Sequence, residues 1–182
     1  MIKALSSFIF HNILRWKIVG SFDASIKKYI IIVVPHTSNW DFIIGVLARS
    51  ILKIDEAKFL GKSQLFRWPY GFIFRALGGY PVVRTQHNNL VEAAVDIFNS
   101  KERFAMALAP EGTRSKVEKL KTGFYHIAVK AKIPIFKVGF DFKKRELVID
   151  KPFYPSGNME EDMVLIMQFF KTITPKHPHL GV

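Results

Sequence analysis

Short apolar runs alternate along the chain with stretches patterned for helices. Residues 29–34 form an almost unbroken β-branched run ending at Pro35, the pattern of a strand buried on both faces. Residues 57–60, 80–83, 104–108, 133–140 and 146–149 read as further strands. Residues 40–53, 88–100 and 119–130 read as helices; in 88–100 the face runs through Leu90, Ala94, Ile97 and Phe98. Asn158-x-x-Glu161 is a capping box ahead of a helix reaching to about Thr172, with Pro175 beyond its end. Strands alternating with helices predict a single α/β domain with a mainly parallel central sheet flanked by helices. Residues 64–77 are aromatic and partly helical in pattern, and Phe66, Trp68, Tyr70, Phe72 and Phe74 read mostly as core.

The N-terminal residues 1–20 stand apart as an amphipathic helix preceding the α/β domain of residues 21–182. At helical spacing Leu5, Phe8, Ile9, Ile13 and Trp16 share one face, flanked by Lys3, Arg15 and Lys17. Such a helix either packs on the domain's own core or lies in the headgroup region of a membrane. No stretch of about 18 residues is free of charge, and no small-residue cleavage site follows the helix.

Composition narrows the partner. An apolar share of 49% and a charged share of 23% over 182 residues belong to a folded protein. Cysteine is absent, which excludes disulfides, thiolate metal sites and a cysteine nucleophile. Lys+Arg 27 against Asp+Glu 15 gives +12, which calls for an anionic partner. Seventeen Phe and a positive mean hydropathy favour a lipid surface. The basic residues are spread along the chain without a nucleic-acid motif, so nucleic acid is not the expected partner.

A parallel sheet places ligands at the C-terminal ends of its strands, and two polar clusters fall there. Pro35-His36-Thr37-Ser38-Asn39-Trp40-Asp41 leaves the buried strand and enters a helix. Ser38-x-x-Asp41 resembles a capping box with Asp for Glu. If the loop folds back, Asp41 meets His36 Nδ1, fixes the tautomer and leaves Nε2 as a general base. Pro110-Glu111-Gly112-Thr113-Arg114-Ser115 follows the strand at 104–108. Gly112 permits close backbone approach or a positive φ, and Arg114 offers a planar fork to phosphate. The bland alternatives are a well-capped helix with an incidental His, and a turn bearing a surface ion pair. Gly61-Lys62-Ser63 lacks the upstream Gly of a phosphate-binding P-loop, Glu56 standing in its place. No G-x-S-x-G elbow or G-x-G-x-x-G fingerprint occurs, and the His residues are scattered, with His177 and His179 in a solvated tail.

Together the clusters resemble the glycerolipid acyltransferase family, the 1-acylglycerol-3-phosphate (lysophosphatidate) acyltransferases. His36-x-x-x-x-Asp41 is followed about 70 residues later by Pro110 to Ser115. Gly78-Gly79-Tyr80-Pro81-Val82-Val83-Arg84 resembles the family's strand ending in an acceptor-phosphate arginine, and Ile133-Pro134-Ile135-Phe136-Lys137-Val138 its later apolar block. The chain departs from the pattern in three ways. Val83 stands where an acid usually precedes the arginine, Pro35 precedes His36 where Asn is common, and only 35 residues precede His36.

The resemblance implies transfer of an acyl group from acyl-CoA or acyl carrier protein to the free hydroxyl of a lysophospholipid, most simply 1-acylglycerol-3-phosphate. It makes His36 the base and Asp41 its orienting group. It assigns the acceptor phosphate to Arg84 and Arg114, with Lys62 and Lys121 assisting, and the acceptor pocket to Glu111, Gly112 and Thr113. Backbone N–H groups near Gly112 or the helix start would stabilise the oxyanion. The aromatic segment 64–77 gains a second use as an acyl groove. No metal or organic cofactor is implied, and the protein is expected at the cytoplasmic face of the membrane, bound peripherally to anionic lipid. Two alternatives stand beside this: a different lysolipid acceptor, and a non-catalytic basic module binding membrane or nucleic acid.

Overall fold

The computed structural model describes residues 2–82 and 87–181. Its sheet is assembled from β1 (Lys17–Val19), β2 (Lys28–Val33), β3 (Ala57–Lys62), β4 (Gly79–Val82), β5 (Phe104–Leu108), β6 (Ile135–Asp141) and β7 (Glu146–Ile149). The spatial order is β1-β7-β6-β2-β5-β3-β4. Strands β2 to β6 are mutually parallel, whereas β7 returns antiparallel to β6 and carries β1 beside it.

The β-branched run of β2 explains its central place. Ile30, Ile32 and Val34 project into a core built with α4 (His87–Ser100), α5 (Gly123–Ala131) and α6 (Met159–Phe170), through Phe98, Phe124 and Ile166. Tyr29 and Ile31 project the other way, into a core that takes Ile44 and Ala48 of α2 (Asn39–Leu52) with Phe10 and Trp16. A strand buried on both faces has no room for polar alternation. Each of the fully buried side chains contributes about 1.5–3 kcal/mol, so this two-sided packing holds the C-terminal end of β2 in place.

The N-terminal segment differs from the expected helix over 1–20. Helix α1 (Ile2–Phe8) continues in a π-helical turn, Ile9–Ile13, and Arg15 then adopts a left-handed φ of 59° that ends it. The remainder is drawn into the sheet as β1. Phe10, off the expected stripe, is buried together with Trp16, while Leu5, Phe8 and Ile13 of the stripe are exposed; the π turn shifts the facing only of the residues after Phe8. Helix α5 also starts later than expected, at Gly123, because the Lys121 N–H is taken by the Pro110 carbonyl at 2.9 Å. Of the five aromatics in 64–77, Phe66 is core as expected, but Trp68, Tyr70 and Phe72 are exposed. They sit on the short excursion between β3 and β4, through the 3-10 turn Ser63–Phe66 and α3 (Gly71–Ala76), at the sheet's edge.

Candidate active site

Strands β2 and β5 are neighbours with Ile32 opposite Leu108. The chain therefore leaves both strands at the same height. Four residues after Ile32 comes His36, and three after Leu108 comes Glu111. The carboxylate of Glu111 accepts the His36 backbone N–H through Oε2 at 2.7 Å. The expected acceptor-pocket residue is thus turned inward onto the histidine's own main chain, and it is only 4% exposed. Burial pushes its carboxyl above the usual range, and the charge of Asp41 adds to that; the bond from the His36 amide and the nearby imidazole act in the opposite direction.

The loop after His36 folds back as the spacing anticipates. Ser38 Oγ accepts the Trp40 N–H at 3.2 Å, and Asp41 Oδ2 accepts the Ser38 N–H at 3.0 Å. This reciprocal cap starts α2 and satisfies donors that a helix start leaves unpaired. The same Oδ2 stands 3.0 Å from His36 Nδ1. Asp41 is 2% exposed and the His36 side chain 20%, so the carboxylate is sealed and the ring reaches partly to solvent. Nδ1 is buried and lies close to Oδ2 without completing a hydrogen bond to it. Such bonds often tighten only when substrate binds. The arrangement can hold one tautomer, leave Nε2 free to accept a proton, and stabilise the imidazolium that results.

The second cluster explains its glycine. Gly112 has a φ of +69°, and a Cβ there would stand 3.0 Å from Lys121 Nζ. The tight turn brings the Lys121 side chain over the backbone, so Gly112 and Lys121 form one corner of the site. Thr113 and Arg114 follow on the exposed part of this turn, with Thr113 Oγ1 accepting the Ser115 N–H at 3.2 Å. Lys62 ends β3 at the same edge of the sheet, because Phe59 pairs with Ala107 of β5; its side chain is outside the described part. Arg84 lies outside the described residues.

Two expectations change. The Gly112 N–H is bonded to the Ala109 carbonyl at 3.0 Å, and the N–H groups of Ser38, Trp40 and Asp41 are engaged within the cap. These four amides already have partners, which narrows the expected oxyanion donors to their neighbours. The C-terminal tail, expected to be solvated, packs on the histidine loop instead: the His177 N–H donates to Thr37 Oγ1 at 3.2 Å, and Thr37 and Pro175 are buried. Neither this contact nor the Glu111 bond has a local signature, since each joins segments far apart in the chain. The nearest sequence signals were Pro175 and the position of Glu111 just past a strand end.

The acyltransferase family profile matches residues 15–141. Among solved structures, the fold is similar to the 1-acyl-sn-glycerophosphate (LPA) acyltransferase PlsC from Thermotoga maritima, with a TM-score of 0.61 and 21% identity, over 94% of this chain and 76% of that one. No curated protein matches significantly.

Proposed function

Because the chain belongs to the acyltransferase family, and is an enzyme of acyl transfer, we propose that it acylates the free hydroxyl of a lysophospholipid, with 1-acylglycerol-3-phosphate as acceptor and acyl-CoA or acyl carrier protein as donor, at the cytoplasmic face of a membrane. The observation that carries the reading is the placement of His36 Nδ1 3.0 Å from a sealed Asp41 carboxylate at the C-terminal edge of the sheet. The similarity of fold to an enzyme named for 1-acyl-sn-glycerophosphate supports the acceptor.

The chemistry follows from the acidities. A lipid hydroxyl holds its proton far above neutral pH, so attack on a thioester needs a positioned base, which supplies about 10²- to 10⁴-fold. His36 Nε2 takes that proton as the hydroxyl oxygen adds to the thioester carbonyl. The tetrahedral oxyanion collapses, the C–S bond breaks, and the imidazolium returns the proton to the leaving thiolate. Asp41 orients the ring and offsets its transient charge without itself becoming protonated. Glu111 acts as a positioning residue through the His36 main chain. Arg84 and Arg114, with Lys62 and Lys121, hold the acceptor phosphate.

The test is an acceptor panel. Acyl transfer to lysophosphatidate is expected to exceed transfer to lysolipids without a terminal phosphate monoester. Preference for a phosphate-free acceptor would overturn the assignment of acceptor and favour a different lysolipid. The sealed carboxylate beside a reachable imidazole favours chemistry over a purely binding module.

A further inference from the structure

The β3–β4 excursion exposes aromatic side chains that a soluble domain buries. Phe66 anchors it: Phe66 is buried, its ring meets Phe74 edge-on at 6.2 Å, and the Arg75 guanidinium lies 5.7 Å above it. Gly71 closes the turn against the Phe66 backbone, where a Cβ would fall 2.1 Å from the Phe66 carbonyl oxygen, and its N–H bonds to the Arg67 carbonyl at 2.8 Å. On this built scaffold Trp68 is 93% exposed, Phe72 68% and Tyr70 66%, with Leu65 and Ile73 exposed beside them. An apolar cluster held outward in this way marks a contact surface.

We propose that this knob inserts into the headgroup region of an anionic bilayer, as a membrane contact separate from the N-terminal helix. Two observations select this occupant. Trp and Tyr combine an apolar ring with a polar tip, which suits the membrane interface. Residues 57–91 contain no Asp or Glu and five cations, Lys58, Lys62, Arg67, Arg75 and Arg84. Arg67, adjacent to Trp68, is exposed. A second copy of the chain would set this acid-free segment against itself, whereas anionic lipid complements it. The knob leaves the C-terminal end of β3, the sheet edge that also carries His36 and Glu111. Seating it in lipid turns that edge toward the membrane that supplies the acceptor. The inference rests on the proposed function only in taking the acceptor from a bilayer.

Vesicle binding tests it without turnover, so a failure of the lysolipid reading leaves the result interpretable. In a Trp40→Phe background Trp16 is buried, and Trp68 reports. With phosphatidylcholine vesicles containing phosphatidylglycerol, Trp68 emission is expected to shift to the blue and to be quenched by lipids brominated in their chains. The triple variant Trp68→Ala/Tyr70→Ala/Phe72→Ala is expected to lose at least about tenfold in partitioning. Arg67→Glu is expected to lose binding chiefly on the anionic vesicles. All four positions are exposed, so thermal melts should match the wild type and exclude misfolding as the cause. His36→Ala should bind vesicles as the wild type does. Unquenched Trp68, or wild-type flotation of the triple variant, would overturn the proposal. So would a concentration-dependent dimer lost in the triple variant while vesicle binding is kept, which would make a second copy the occupant.

Discussion

The Glu111 carboxylate accepts the backbone N–H of His36 at 2.7 Å across a sequence separation of 75 residues. This bond ties the loop leaving β2 to the turn leaving β5, so the two clusters form one site through a main-chain contact. It also places an acid where burial opposes its ionisation. A carboxyl raised in the folded state contributes stability that is full below its unfolded pKa and is lost as pH rises through the folded value. Glu111→Gln keeps an acceptor for the His36 amide and never ionises. The melting temperature of the wild type minus that of Glu111→Gln is therefore expected to fall as pH rises upward from about 4. Melts in a pH series check this, and parallel curves would contradict it.

Asp41 serves the helix cap and the imidazole through one oxygen, and the two roles separate by substitution. Asp41→Asn retains a carbonyl oxygen for the Ser38 N–H but loses the charge that supports the imidazolium. Stability is expected to change by no more than about 1 kcal/mol, while kcat falls on the order of 10² or more with little change in KM. Ser38→Ala shows the opposite balance, with about 1 kcal/mol of stability lost and a smaller effect on kcat. Paired melts and steady-state kinetics distinguish the outcomes.

Thr37 links the histidine loop to the tail through the His177 amide. Thr37→Val removes that acceptor at nearly constant volume, and is expected to cost about 1–2 kcal/mol. Because Thr37 adjoins His36, kcat should fall while KM is held. Loss of stability with unchanged kcat would make the contact purely structural.

Much of this was legible because it was local. The β2 run announced a strand buried on both faces, and Ser38 with Asp41 announced a helix cap that also presents a carboxylate to His36. Gly112 announced a close backbone approach or a positive φ; the structure shows a φ of +69° with the Lys121 side chain lying over it. The misreadings share a cause. The N-terminal stripe assumed 3.6-residue periodicity, which the π turn at Ile9–Ile13 breaks. The aromatics near Trp68 were counted as core because apolar identity does not reveal which side of an edge excursion it faces. The Glu111 bond and the Thr37 tail contact join residues far apart in the chain, and pattern along the chain does not encode partners that distant.

Under the proposed function Arg84 and Arg114 hold the acceptor's phosphate, and Arg114 lies on the exposed turn after β5. Arg84→Ala and Arg114→Ala are each expected to raise KM for lysophosphatidate by roughly tenfold or more, as the loss of a charge-assisted bond predicts. Turnover of a phosphate-free lysolipid should be unaffected. Equal losses on both acceptors would show that these residues support the fold or the donor.

In the proposed mechanism His36 is the base. The most direct measurement is product formation from labelled acyl thioester and lysophosphatidate in mixed micelles, with the wild type and His36→Ala compared at equal folded concentration. Phosphatidate is expected from the wild type, with a fall of about 10³-fold in the variant. Turnover by His36→Ala within about tenfold of the wild type would contradict it.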